Sequence, residues 1–177
     1  LSKEHRMAID FNQNYFQLFE LDNSFDVNYE SLEKKYLSFQ KSFHPDKFVN
    51  ASDQEKRISL QIISYINEAY ETLKNDYLKS IYLLKINGYE IDDQNTTISD
   101  PDFLMHQMEL REELEEIEKS ESTEIKKIFL EKINKYKIDC LNDFKENFNK
   151  QLYDKASKKV KEMKFYISIE NEIVRMD

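Results

Sequence analysis

A chain with one glycine and two prolines in 177 residues has almost nothing from which to build tight hairpins. Glycine supplies the left-handed backbone that hairpin turns require, and proline is the residue that forces a helix to stop. Lysine, glutamate, leucine and isoleucine abound instead, and these favour helix over strand. The expected fold class is all-α, with boundaries set by the few breaking and capping residues.

Tyr15, Phe16, Leu18, Phe19 and Leu21 form an apolar cluster that predicts a first helix of about two turns, ended by turn residues at 22–24. Asn28 is the expected N-cap of a second helix over residues 28–43, where Leu32, Tyr36, Phe39 and Phe43 recur at helical spacing and mark one buried stripe. Pro45 ends it and pushes His44 out of the helical region. After a loop, Ser52 and Glu55 have the form of a capping box, and Ile62, Ile66, Ala69, Tyr70 and Leu73 give a third helix its apolar face. The second and third helices are expected to pair antiparallel. A short fourth helix is expected over residues 77–85, with Gly88 near a left-handed C-terminal cap.

Residues 92–100 are polar, with nothing to bury, and read as part of a linker. Pro101 suits the first position of a helix running to about residue 119. Two amphipathic stretches follow, one carrying Ile125, Phe129, Ile133, Tyr136, Cys140 and Phe144, the other Tyr153, Ala156, Val160, Met163 and Ile167. The second half is therefore expected to be a three-helix bundle. The implied organisation is an N-terminal unit over 11–88, a linker over 89–100 and a C-terminal unit over 101–177. The six residues before Met7 read as an added segment or the interior of a longer chain, and are set aside.

A formal charge of −9 repels a phosphate backbone, which disfavours nucleic acid as a partner. No stretch approaches the roughly 20 apolar residues of a membrane helix, so no membrane partner is expected. Cys140 is the lone cysteine, which fits a reducing compartment such as a cytosol, and its place on an apolar stripe makes it a packing residue. A di-iron carboxylate site needs Glu-x-x-His pairs on facing helices, and the sequence has none. His5, His44 and His106 lack metal-ligand spacing, so no catalytic residue, metal site or cofactor is expected.

His44, Pro45, Asp46 and Lys47 stand out, set between two antiparallel helices, with Lys34, Lys35 and Lys41 on the helix before them. Proline presets the loop backbone, a carboxylate at its tip can pair with an arginine of a partner, and the lysines form a local positive patch on an acidic protein. This arrangement resembles the J-domain, the module through which co-chaperones stimulate ATP hydrolysis by DnaK-type chaperones, over roughly residues 14–76. The resemblance implies that His44, Pro45, Asp46, Lys47, Lys34, Lys35 and Lys41 dock on the chaperone.

In the helix after Pro101, Phe103, Gln107, Leu110, Leu114 and Ile117 fall on a core face. Opposite them lie Leu104, Met105 and Met108, continuing into Glu109, Glu112 and Glu116. Apolar groups on that side mean either a partner with basic groups or cover from elsewhere in the same molecule.

The stretch 103–118, Phe-Leu-Met-His-Gln-Met-Glu-Leu-Arg-Glu-Glu-Leu-Glu-Glu-Ile-Glu, resembles the client-binding helix of the HscB family, J-proteins dedicated to iron-sulfur cluster assembly. The likeness implies contacts to an iron-sulfur scaffold protein from Leu104, Met105, Met108, Glu109, Glu112 and Glu116, with Phe165 as a further contact. His106 stands where the family more often has an acidic residue and Met108 where it has leucine, and His106 is left out of the implied set. The cysteine-rich zinc segment of many mitochondrial relatives has no counterpart, so the resemblance points to the bacterial, cytoplasmic type, with an HscA- or DnaK-type chaperone as second partner. The rival expectation is a helical interaction scaffold with no chaperone link.

Overall fold

The computed structural model describes residues 9–91, 100–120 and 122–175. Among them the α-helices are α1 (Tyr15–Leu18), α2 (Tyr29–Phe43), α3 (Asp53–Lys74), α4 (Asp76–Ile86), α5 (Pro101–Glu118), α6 (Thr123–Asn149) and α7 (Tyr153–Val174), and no strand occurs. The chain divides into two compact units, Leu1–Ile86 and Asn87–Asp177. Most of the expected linker, residues 92–99, lies outside the described residues.

In the first unit, α1 is a single turn rather than the expected two. Asn14 and Gln17 cap it reciprocally, each backbone N–H lying 2.9 Å from the other's side-chain oxygen. Glu20 then takes a left-handed φ of 58° and Leu21 N–H returns to the Phe16 carbonyl at 2.8 Å, which closes the helix before a second turn forms.

Asn28 caps α2 by accepting from Ser31 N–H at 2.9 Å. Of its expected stripe, Leu32 and Phe43 are buried, while Tyr36 and Phe39 are half-buried. Tyr36 stacks on Tyr70 of α3 at 3.9 Å and Phe39 meets Phe19 edge-on at 5.7 Å. The capping box of α3 is present, Ser52 N–H donating to Glu55 Oε2 at 2.8 Å. Its Ile62, Ile66, Ala69, Tyr70 and Leu73 are all buried. Filling such positions stabilises a fold by roughly 1.5–3 kcal/mol per large apolar side chain. The α4 helix joins this core through Leu83 and Leu84, and Tyr82 stacks on Tyr15 at 4.3 Å.

Near the start of the second unit Gly88 has φ +80°, a left-handed residue with open space where a Cβ would stand. On either side of it the Tyr153 hydroxyl donates to Asn87 Oδ1 at 3.3 Å and the Ser157 hydroxyl to Tyr89 Oη at 3.1 Å, which tie this stretch to α7. Asp100 caps α5 by accepting from the Asp102 and Phe103 amides, with Pro101 in the first turn. Phe103, Leu110, Leu114 and Ile117 are buried and Gln107 is half-buried.

A tight connection in which Gln151 has φ 58° turns α6 back into α7. On α6, Phe129, Ile133, Cys140 and Phe144 are buried and Tyr136 is half-buried, but Ile125 is exposed, contrary to expectation. Ile125 lies in the first turn, where with Ile128 it lines an open groove beside the end of α5 instead of entering the core. On α7 the buried path runs from Ala156, Val160 and Met163 through Tyr166, Ile169 and Ile173, leaving Ile167 half-buried. The α5 helix closes the bundle through Phe103, whose ring meets Phe165 and Tyr166 edge-on, and through an ion pair from Glu113 to Lys132 at 2.6 Å.

Candidate functional site

The chain carries a candidate surface on each unit. On the first, the segment expected as a plain loop is a 3-10 turn over Pro45–Phe48. The reason is local: Pro45 brings a preset φ to the first position, His44 caps the turn, and Lys47 N–H donates to the His44 carbonyl at 2.9 Å. The Asp46 N–H donates to His44 Nδ1 at 3.3 Å, and that nitrogen lies 3.4 Å from Asp46 Oδ2. Phe43 is buried immediately before the turn and anchors it, while the Asp46 side chain is 86% exposed and His44 and Lys47 face solvent.

Lys34 and Lys41 are exposed on α2, seven residues apart and so on one stripe of the helix. Lys35 differs. It is half-buried, its ammonium pairs with Glu20 at 2.5 Å and sits 5.5 Å from the Phe39 ring centroid, so its charge is already engaged. Exposed Leu37 lies between Lys34 and Lys41 on their stripe, three residues after the first and four before the second.

On the second unit, Leu104, Met105 and Met108 are 42, 63 and 65% exposed, so no other part of their unit covers them. Leu104, Met108, Glu112 and Phe165 come together in an open groove of about 620 Å³, which Gln107, Arg111 and Glu115 also line. Met105, Glu109 and Glu116 lie outside it. Met105, Glu109, Glu112 and Glu116 follow one another at spacings of four, three and four, a second stripe bordering the groove. Glu116 faces the smaller groove beside Ile125 and Ile128.

His106 is half-buried, edge-on to Tyr136 at 4.9 Å, and 4.0 Å from Glu109. Gln107, expected on the core face, is half-buried and lines the groove, where Arg111 and Glu115 join it. The available signal for Arg111 and Glu115 is that they stand seven residues, two helical turns, after Leu104 and Met108 on the same face.

In the core of this unit, burial first and then the Glu162 carboxylate, 3.4 Å from Sγ, push the Cys140 thiol up to about 12. Such a thiol carries little nucleophilic thiolate at neutral pH. Among the described residues, no group of three His, Cys, Asp or Glu side chains is placed to hold a metal ion, and no helix is long and apolar enough to cross a membrane. The two surfaces differ in kind, one a stiff turn with exposed charge, the other an oily groove with an acidic edge.

Residues 99–174 match the family model described as the HSCB C-terminal oligomerisation domain. Along nearly the whole chain, the sequence is 37% identical to a co-chaperone protein HscB homolog of Shewanella halifaxensis, covering 93% of this chain and 97% of the relative. A homolog from Aliivibrio salmonicida is 35% identical over 93% of this chain and 96% of its own length. Among solved structures, HscB from Vibrio cholerae superposes with a TM-score of 0.84 at 34% identity, over 92% of this chain and 96% of that one. Human co-chaperone HscB gives a TM-score of 0.88 at 28% identity, over 95% of this chain and 84% of that one. The all-helical architecture is thus a J-domain followed by a C-terminal helical domain. With likeness in sequence and fold running through both units, the chain belongs to the HscB family of co-chaperones.

Proposed function

We propose that this co-chaperone binds an iron-sulfur cluster scaffold protein through the α5 groove and presents it to a DnaK- or HscA-type chaperone, whose ATPase it stimulates through the turn at His44. The observation that carries this reading is that the exposed His44–Asp46 turn and the open apolar groove fall in different compact units, so each is available to its own partner.

The turn acts by preorganisation. Pro45 and the bonds within the turn hold the Asp46 carboxylate outward, where it meets an arginine of the chaperone with little ordering cost. Lys34, Lys41 and Lys47 raise the rate of encounter with an acidic surface, and Leu37 gives the docked stripe an apolar contact. In the groove, Leu104, Met108 and Phe165 receive apolar side chains of the scaffold, with Met105 beside them, and Glu109, Glu112 and Glu116 receive basic ones. Methionine adapts its shape to the bound surface. ATP is bound and hydrolysed by the chaperone, and the place of action is the bacterial cytoplasm, a reading the bacterial relatives support.

The experiment mixes the purified chain with an iron-sulfur scaffold and its cognate chaperone, and follows complex formation and phosphate release together. A ternary complex with accelerated release is expected, and replacing Leu104, Met105 and Met108 with alanine should weaken scaffold capture. Scaffold binding with no change in phosphate release would favour a plain interaction scaffold instead.

A further inference from the structure

Phe165 is the groove's aromatic wall, yet it sits half-buried on the surface of α7, where a ring is ordinarily free to turn. Here it is held. Phe103 and Tyr166 meet it edge-on at 5.9 and 5.6 Å, and the Arg111 guanidinium carbon stands over the ring 5.5 Å from its centroid. Arg111 is itself anchored: Nη1 donates to Glu172 Oε2 at 2.5 Å, and Glu172 Oε1 accepts from the Ser168 hydroxyl at 3.1 Å. A chain of contacts thus leaves α7 at Ser168 and Glu172, crosses to Arg111 on α5, and returns to Phe165 on α7.

We propose that Arg111 is a positioning residue for partner binding, fixing the Phe165 ring in the shape that the scaffold meets; this rests on the reading that the groove receives the scaffold. A ring ordered in advance loses less freedom when the partner arrives. Only arginine serves both ends of this bridge, because its planar guanidinium stacks on an aromatic face while donating to a carboxylate, whereas a lysine pairs with the carboxylate without stacking. The pairing also neutralises the cation on the groove wall, so the charge offered to a basic partner is that of Glu112 and Glu115.

The test is a double-mutant cycle on the full chain, titrated with purified scaffold protein. Arg111→Gln should weaken binding about fivefold, the scale of one cation–π contact at a part-exposed site. In a Phe165→Ala background the same change should cost less than about twofold, because the residue through which Arg111 acts is gone. Arg111→Lys should weaken binding nearly as much as Arg111→Gln, and Glu172→Gln, which leaves the guanidinium and ring but loosens the anchor, by a smaller factor. Additive losses from Arg111→Gln and Phe165→Ala would overturn the proposal, showing that Arg111 meets the partner by itself, as would full rescue by lysine. Leu104→Ala separates the two levels: if it and Phe165→Ala both leave affinity unchanged, the groove reading fails; if Leu104→Ala alone weakens binding, Phe165 needs no positioning and only the Arg111 role is lost.

Discussion

Lys79, whose side chain has no exposed surface, places its ammonium 3.0 Å from Asp76 Oδ1. The Tyr29 hydroxyl accepts from the same nitrogen at 2.8 Å, and the rings of Phe25 and Tyr29 flank it at 4.3 and 4.9 Å. This buried cation links the start of α2 to the start of α4. Asp76→Ala strips it of its counter-charge and should destabilise the first unit by about 2–3 kcal/mol, whereas Lys79→Met, which removes the charge and keeps the volume, should cost about 1 kcal/mol or less. Urea unfolding followed by circular dichroism distinguishes them. Equal losses would show that the ion pair itself, not the cation left without a counter-charge, governs the site.

His44→Gln should remove stimulation of the chaperone ATPase while changing folding stability by no more than about 0.5 kcal/mol, since His44 is exposed and its bonds lie within its own turn. Phosphate release and thermal unfolding measured on the same preparation check both halves. A large fall in the melting temperature would assign His44 to the fold instead.

Lys34→Ala and Lys41→Ala together should slow association with the chaperone and flatten its dependence on salt. Lys35→Ala should do less, because Glu20 already holds that charge. Stopped-flow association at two ionic strengths provides the comparison, and an equal effect from Lys35 would mean that its pairing with Glu20 opens on docking.

The raised Cys140 pKa predicts both a reactivity and a pH dependence. Iodoacetamide at pH 8 should label the folded chain slowly and the urea-unfolded chain fast. Because the folded value, about 12, exceeds that of the unfolded thiol, burial of the neutral group adds stability that is intact below pH 8 and is lost as pH climbs from the unfolded value towards 12. Cys140→Ala should flatten that alkaline loss in unfolding measured from pH 8 to 10.5.

What could be read from the residues alone was whatever is local. Asn28 and Ser52 each cap a helix through an amide three residues ahead, within reach of periodicity and composition. The stop at Pro45 is equally local. Spacing left open whether Leu104, Met105 and Met108 meet solvent or a neighbouring helix, because that depends on where α6 and α7 lie.

Lys79 was invisible for the same reason. Nothing in α4 announces a buried cation, whose ring and hydroxyl partners at Phe25 and Tyr29 lie about fifty residues earlier in the chain. The bridge from Arg111 to Glu172 spans 61 residues, and the exposure of Ile125 arises from the groove beside the end of α5. In each case a long-range neighbour decides the role of a residue whose local sequence is unremarkable.

Because the Asp46 amide lies 3.3 Å from Nδ1 of His44 and Asp46 Oδ2 only 3.4 Å from it, that nitrogen is engaged within the turn, and Nε2 is the ring atom left for a partner. The ring is half-exposed and stands two residues from an acid with almost nothing covering it. A surface that recognises this tip must offer a hydrogen-bonding group for the ring and a cation for the acid side by side, at the separation that the turn has already fixed.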